Sequence, residues 1–449
     1  MRINVAGAGA GKTTCMASRV AECIVPAGQV IFCIAFTNAA IENIRKHVCE
    51  IYGCIPGNIR ISTIHSFFYQ EFIQPYYYLL YGKHYLGISV IELPQQDKYR
   101  FYQISELDKE GYIHQTKIPE KAKWVVDKKS KDTADVKGLR KRILDHFSEY
   151  CAKIFVDEAQ DIDKDMKAVL EALDRQGVSV ELFGDPKQDI KGHGCYQEMI
   201  ANNRDIHYMK ICHRCPQKHL NLSNMLAKDE EQQSADTHNK EGSINFYYET
   251  AISDLAEFIT PERFGLIYIH QLNDRFETHD RADINLRCET LYREVLDALG
   301  SNKALMKSTL EMNRIAYFVA EQMLQEYSDS FNASMVVTKW INTGTFCYNP
   351  KSYAKMCEIL DKPDITSTAK IQVKSIESIK GLEDDNCLFI LTPAIAPYLF
   401  GDKSEDNKMK HLLYVALTRS LDNLSILVSK EVEERYTVSF IDAFFHAFI

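Results

Sequence analysis

The sequence predicts an α/β fold built on two parallel sheets, and three observations carry that prediction. A short apolar segment, Ile3 to Val5, runs into a glycine-rich loop and then a helical pattern. Apolar, β-branched segments recur after it, each ending in polar residues and most followed by apolar positions at helical spacing. The alternation restarts near Ser243, beyond a polar stretch at 228–241 that reads as a linker or loop. With 449 residues the chain is long enough for two or more domains.

Composition narrows the class. Apolar residues make up 45% and charged residues 26%, a globular and water-soluble balance. Thirteen cysteines follow no pairing framework, which favours a reducing compartment. Met1 stands close to the first strand, so no signal peptide is expected, and a cytoplasmic protein is. Apolar runs such as Cys387 to Leu391 are too short to cross a bilayer, so no membrane partner is expected. Net charge is −9, so binding of nucleic acid would need a local basic face.

The first loop reads Ala6-Gly7-Ala8-Gly9-Ala10-Gly11-Lys12-Thr13-Thr14, and the helix after it has Met16, Val20 and Ile24 on one face. Small residues let successive backbone N–H groups turn inward around a polyphosphate. Lys12 would reach the β- and γ-phosphates and Thr13 would hold Mg²⁺. Ala6 stands where the usual pattern has its first glycine. An ordinary flexible turn does not explain the lysine, the two threonines and the following helix together.

Strand Val30–Ala35 ends in Phe36-Thr37-Asn38, with a helix after it carrying Ile41, Ile44, Val48 and Ile51. Segment Ile59–Ile64 ends in Thr63-Ile64-His65-Ser66. Ligands of parallel sheets bind beyond the C-terminal strand ends, so these endings fall on the edge that holds the glycine loop. A Thr-Asn pair is, however, more often a helix cap. Residues 67–85 are rich in Phe and Tyr, for which core packing is commoner than base stacking. Residues 117–142 hold ten Lys/Arg against four Asp/Glu, with Trp124 among them, either a phosphate-backbone footprint or a solvated surface. Lys153–Val156 then runs into Asp157-Glu158-Ala159-Gln160-Asp161. There Asp157 would bind Mg²⁺, and Glu158 would orient and deprotonate the attacking water. Strand Val178–Phe183 ends in Gly184-Asp185-Pro186-Lys187-Gln188, where Gln188 could sense the terminal phosphate. Cys212 and Cys215 have metal-ligand spacing but no second pair, which disfavours zinc.

The second sheet is expected from Ser243–Tyr248, Gly265–Ile269, Lys370–Ile376, Asn386–Thr392 and Leu424–Val428. Residues 276–364 read mainly as helices, Lys408–Arg419 as another, and Phe440, Ile441, Phe444, Phe445 and Phe448 as an apolar helical face at the C-terminus.

In their order, Gly7–Thr14, Phe36-Thr37-Asn38, Thr63-Ile64-His65-Ser66, Asp157–Asp161, Gly184–Gln188, Arg214, Glu377–Glu383 and Tyr414–Arg419 resemble the motifs of superfamily 1 helicases, in particular the UvrD/Rep/PcrA branch of DNA helicases. The resemblance implies two RecA-like domains with ATP and Mg²⁺ between them. The first would comprise 1–75 and 145–205 with a basic insertion at 76–144, the second 206–275 and 365–449 with a reduced helical insertion at 276–364. It implies that Gly7, Ala8, Gly9, Ala10, Gly11, Lys12, Thr13 and Thr14 cradle the phosphates, and that Gly381 and Glu383 approach the ribose. Lys12, Glu158, Gln188, Arg214 and Arg419 would be catalytic, the two arginines touching the γ-phosphate, with Thr13 and Asp157 at the metal. Thr37, Asn38, Thr63 and His65 would grip single-stranded or forked DNA.

There are departures from that pattern. No upstream glutamine motif precedes the loop, which leaves adenine recognition open. After Gln188 the family has an aromatic and Arg-Gly; here the run is Asp189 to Gly194, without a stacking ring unless His193 or Tyr196 supplies it. Glu377 replaces a usual histidine. A compact helicase of this kind resembles the helicase subunit of Gabija-type anti-phage systems, whose partner is an OLD-family nuclease with ATPase and Toprim domains. Two other readings stand beside this one: a regulatory subunit that senses nucleotide and DNA, and a stand-alone repair helicase. A small-molecule kinase would leave Arg214, Arg419 and Thr63-Ile64-His65 without a role.

Overall fold

A computed structural model of the chain describes residues 1–448 except 92, 95, 271–274, 279–283, 301–308, 331, 347 and 362–370. It divides into two compact units, one of residues 1–83, 118–278 and 369–449, the other of 84–117 and 279–368.

The first unit holds two parallel six-stranded sheets. The strands of the first sheet are β1 (Arg2–Ala6), β2 (Val30–Ala35), β3 (Ile59–Thr63), β4 (Cys151–Val156), β5 (Ser179–Gly184) and β6 (Ile206–Met209), in spatial order β3-β2-β4-β5-β1-β6. The second sheet is formed by β7 (Ser243–Tyr248), β8 (Leu266–Ile269), β9 (Phe276–Thr278), β10 (Ile371–Ser375), β11 (Asp384–Leu391) and β12 (Ser420–Val428), ordered β7-β12-β11-β8-β10-β9. The central strands read as apolar runs because helices cover both faces. Thus Ile154, Phe155 and Val156, and equally Leu388 to Leu391, are fully buried.

Local chemistry ends and begins the helices. Thr37 accepts a bond from the Ala40 N–H at the start of helix Asn38–Tyr52, and Gly53, at φ 77°, closes it. Asp163 accepts from Asp165 and Met166 at the start of helix Lys164–Arg175. Between Ile64 and Tyr81 the chain stays helical but passes through a π turn at Tyr69–Ile73. Phe67, Phe68, Phe72 and Tyr77 are buried there. Phe72 lies 4.8 Å from Phe147 and Phe67 lies 5.0 Å from Phe32, so this aromatic stretch is chiefly core.

Two strands of the six-stranded sheets lay outside the sequence reading. β6 is an edge strand whose Ile206, Tyr208 and Met209 are only half-buried and whose His207 is exposed, so it shows no apolar run. β9 occupies the start of a segment expected to be helical; three residues with a central glutamate give no strand pattern. The Lys370 end of the expected strand, and 279–283, 301–308, 331, 347 and 362–364 of the expected helical insertion, lie outside the described residues.

The second unit is helical around a two-stranded ribbon, Gly87–Ser89 with Tyr112–His114. Its core joins Leu291, Val295, Leu299, Val319, Met323 and Val336. Arg293 pairs with Glu110 and sits 4.7 Å from the Tyr112 ring centre. No helix among the described residues is long and apolar enough to cross a membrane.

One buried charge ties the first sheet to its first helix. Glu181, in the middle of β5, has no exposed side-chain surface; it accepts from Asn4 Nδ2 at 3.1 Å and pairs with Arg19 at 2.7 Å and Lys153 at 2.5 Å. Burial opposes its ionisation, but the bonds from Lys153 and Arg19 prevail and hold its carboxyl below the ordinary glutamate value. Glu181→Leu should therefore cost about 3 kcal/mol of unfolding free energy at pH 7, because two close cations lose their counter-charge. The difference from wild type should shrink as pH falls below about 4.5 and through the lowered folded value, which urea denaturation at stepped pH will measure.

Candidate functional site

Three strand ends of the first sheet stand side by side: β4 ends before Asp157, β5 before Asp185 and β1 before the glycine loop. Gly9 and Gly11 have φ of 69° and 71°, left-handed values that glycine adopts freely, and Gly11 caps helix Lys12–Ala21. This helix start leaves the N–H groups of Lys12, Thr13 and Thr14 without an intrahelical partner, an arrangement that attracts anions.

Beside it lies a cluster of buried carboxylates and lysines. Thr13 Oγ1 donates to Asp157 Oδ2 at 2.9 Å, and the Glu158 N–H donates to Asp157 Oδ1 at 2.9 Å. Burial, and the charge of Glu158 next to it, push the Asp157 carboxyl up to about 6. For Glu158 burial works in the same direction, but the positive charges of Lys12 and Lys380 and the bond from Gln160 outweigh it, so the carboxyl is held low. Glu158 has φ 55° and ψ 41°, a left-handed conformation uncommon outside glycine and costing on the order of 1 kcal/mol. The cost is imposed where the backbone must turn off β4 while the side chain stays in the cleft. Gln160 links the two strand ends: it donates to Glu158, and its Oε1 accepts from the Asp185 N–H at 3.0 Å. Asp185 in turn accepts from Gln188 Nε2 at 2.9 Å and pairs with Lys187 at 3.3 Å. Burial favours its neutral form, yet Lys187 and Lys12 keep it ionised.

Two further cations come from outside this cluster, Arg419 directly before β12 of the second sheet and Arg214 in the chain between the two sheets. Arg419 is 1% exposed, donates only to Val415 O and Thr418 Oγ1, and pairs with no carboxylate among the described residues. Burial lowers its pKa, and the nearby Arg214 guanidinium lowers it further. Arg214 itself pairs with Glu383 at 2.5 Å, so these two expected site residues meet each other. Gly381, at φ 88°, has open space around it. Lys380 bonds Asp161 at 3.0 Å and so ties the segment before β11 to the strand end after β4.

The expected DNA contacts sit at the ends of β2 and β3, which are neighbours. Thr37 and Asn38 are exposed; Thr63 and His65 are half-buried. The hydroxyls of Thr37 and Thr63 are already used as helix caps, Thr63 accepting from the Ser66 N–H at 3.2 Å. Burial lowers the His65 pKa, with Asp163 and Lys191 acting on it in opposite senses. Of the two rings considered for the Asp189–Gly194 segment, Tyr196 is buried and donates to Asn4 O at 2.9 Å, so it is core and cannot stack on a ligand. His193 is exposed and, with Asp163, Lys164, Asp165 and Gly192, lines a cavity of about 380 Å³. In the basic stretch Arg140 is buried against Asp132 at 2.7 Å and Lys123 pairs with Asp165 at 2.8 Å. Lys121 and Lys129 lie 4.0 and 4.2 Å from the Trp124 ring centre. Among the described residues no His/Cys/Asp/Glu group could hold a metal on its own, Cys212 and Cys215 included.

Sequence reasoning missed several members of this cleft. Asp185, Lys187 and Lys380 fell inside quoted motifs without a role, and their neighbours were the signal. Gln233 lies in the stretch read as a linker.

His411 connects the cleft to helix Lys408–Leu417. Its Nδ1 meets Asp189 O at 2.8 Å and its Nε2 meets Asp406 Oδ1 at 2.8 Å, so both nitrogens can donate only as imidazolium. Burial lowers its pKa, but Asp406 and the Asp189 carbonyl raise it more, and the net shift is upward. Stability from this histidine should be full below about pH 6.5 and fade as pH rises through the elevated folded value. Melting of wild type and His411→Gln should therefore differ at pH 6 and converge towards pH 9.

Residues 1–193 match the family model of the AAA domain. The Gabija protein GajB of Bacillus cereus (strain VD045) is 27% identical over 274 residues, covering 58% of this chain and 53% of that protein. The chain thus spans about half the length of the curated relative it matches. Two solved structures overlay loosely. The arterivirus nonstructural protein 10 helicase in complex with DNA gives a TM-score of 0.40 at 11% identity, over 95% of this chain and 60% of that one. The PRRSV helicase gives 0.35 at 10% identity, over 95% and 52%. The first 193 residues, which hold the glycine loop, Asp157, Glu158 and Gln188, therefore carry an AAA domain, in a chain distantly homologous to a Gabija protein.

Proposed function

We propose that this chain hydrolyses ATP in the cleft between its two parallel sheets and uses the cycle to move along single-stranded DNA. The observation that carries the proposal is Arg419: a buried guanidinium with no carboxylate partner among the described residues, close to Arg214, which in turn packs against Gly9 of the phosphate loop. A cation held without a counter-ion in low dielectric is suited to a polyanion that arrives from outside.

The residues present fit ATP and Mg²⁺. The helix start at Lys12–Thr14 offers unpaired N–H groups, and Thr13 with Asp157 offers the hydroxyl and carboxylate that a phosphate-bound Mg²⁺ takes. Mg²⁺ would supply charge neutralisation between phosphate oxygens. Lys12 would hold the terminal phosphates. Glu158, kept ionised by Lys12 and Lys380, would orient the attacking water and accept its proton. Gln188, fixed by Asp185, would report the state of the terminal phosphate to the Asp189–Gly194 loop. Arg214 and Arg419 would stabilise charge developing on the transferred group, Arg214 first leaving Glu383. Because Arg419 directly precedes β12 of the second sheet, hydrolysis and relative motion of the two sheets would be linked.

The single strand would cross the ends of β2 and β3 at Thr37, Asn38, Thr63 and His65. The domain division read from the sequence, with insertions at 76–144 and 276–364, belongs to the same proposal. The likeness to GajB supports placing the chain in an anti-phage system beside a nuclease of the OLD type. The burial of Tyr196 favours a second reading, a regulatory subunit that binds nucleotide and DNA but displaces little, since the segment after Gln188 then has only His193 as a ring to push a base.

ATP hydrolysis should rise on adding single-stranded DNA, and Lys12→Ala, Glu158→Gln and Arg419→Ala should each lower kcat about 100-fold or more. Unchanged hydrolysis in these variants would remove the site assignment. A strand-displacement assay with the active protein separates motor from regulator: displacement in one direction belongs to the motor, and DNA-stimulated hydrolysis with none belongs to the regulator.

A further inference from the structure

The peptide groups around Ala8, in the first half of the phosphate loop, are held by side chains that come from far along the chain. The Ala8 N–H donates to Tyr414 Oη at 3.1 Å. Ala8 O accepts from Gln233 Nε2 at 3.3 Å and from Cys212 Sγ at 3.2 Å. Tyr414 Oη then donates to Gln233 Oε1 at 3.1 Å, which closes a ring of three hydrogen bonds through the backbone of one residue and two side chains. Gln233 and Tyr414 are 4% and 2% exposed, so the ring is shielded from water. Its fit is tight. A Cβ at Gly7 would come within 1.9 Å of Gln233 Oε1, which explains glycine at a position whose φ does not require it. Lys187 reinforces the far side, with its ammonium 5.1 Å from the Tyr414 ring centre.

We propose that Tyr414 and Gln233 are a positioning pair for nucleotide hydrolysis, clamping the Ala8 peptide so that the phosphate loop keeps register with the helix that leads to Arg419. This rests on the reading of the cleft as the nucleotide site. The pair leaves the N–H groups of the helix start for the phosphates, since it engages only Ala8. Tyr414 sits at 414 on helix Lys408–Leu417, and Arg419 follows its end, bonded back to Val415 O at 3.0 Å. A shift of that helix must therefore stretch the Tyr414–Ala8 bond or carry the loop with it. The clamp thus converts the separation of two sheets into a displacement at the phosphates.

Tyr414→Phe removes one hydroxyl and keeps the ring; Gln233→Met keeps the volume and removes both amide bonds. Each should lower kcat for ATP about tenfold, with KM for ATP within twofold and the melting temperature within a few degrees, the scale of one lost neutral hydrogen bond. The double variant should be no worse than about either single one, because the ring fails as a unit. A merely structural role would lower the melting temperature and leave kcat of the folded fraction intact, and that result would overturn the proposal. So would wild-type kcat in both variants, or additive losses, while Lys12→Ala is inactive. If the parent protein itself hydrolyses no ATP and binds no fluorescent ATP analogue, the nucleotide-site reading falls first and takes the pair with it.

Discussion

Three carboxylates, buried Asp157 and Asp185 and half-buried Glu158, stand at adjacent ends of one parallel sheet, and the rest of the cleft is arranged around the electrostatic problem they pose. Isolated carboxylates do not stay ionised in such a place. Here Lys12, Lys187 and Lys380 come from three distant segments to neutralise them, and Gln160 and Gln188 occupy their remaining lone pairs. The lysines differ in what they are free to do. Lys187 is buried against Asp185, Glu231 and Tyr414 and is committed to structure. Lys380 spans the two sheets through Asp161. Lys12 forms no ion pair among the described residues, which leaves it available for another anion.

The opposite wall has the reverse imbalance. Arg214 and Arg419 bring two guanidiniums close together, and among the described residues only Arg214 has a carboxylate, Glu383, against it. On the proposed reading, excess positive charge on one wall and the carboxylates on the other would suit a polyphosphate with its metal. This complementarity adds to the glycine loop because it draws on several motifs far apart in the chain.

How much of this could be read beforehand follows from the range of the interactions. The glycine loop, the strand-end carboxylates and the apolar strands are contiguous in sequence, so their periodicity and spacing expose them. The second sheet was legible for the same reason, down to strands β11 and β12. Edge strands β6 and β9 were not, because one face and one side of an edge strand meet solvent and the alternation fades. Tyr414 and Ala8 are 406 positions apart, and Gln233 sits among polar residues that have the composition of a linker. Burial of a glutamine is set by what folds over it, which composition does not encode. The aromatic run at 67–85 and the basic run at 117–142 show the converse. Their composition left ligand contacts open beside core packing and a solvated surface; Phe67, Phe72 and Arg140 serve the core, while half-buried Trp124 lies beneath two ammonium groups.

The left-handed backbone at Glu158 has an evolutionary consequence. A glycine at that position would relax the strain, and an asparagine would tolerate the same dihedral angles with less penalty. Either change would make a sturdier protein without the carboxylate. A lineage selected only for robustness would drift towards those residues, and a thermostabilisation campaign scored on melting temperature alone would find them too. On the proposed reading, glutamate at this position trades backbone stability for its carboxylate, and screens on this fold should hold position 158 fixed.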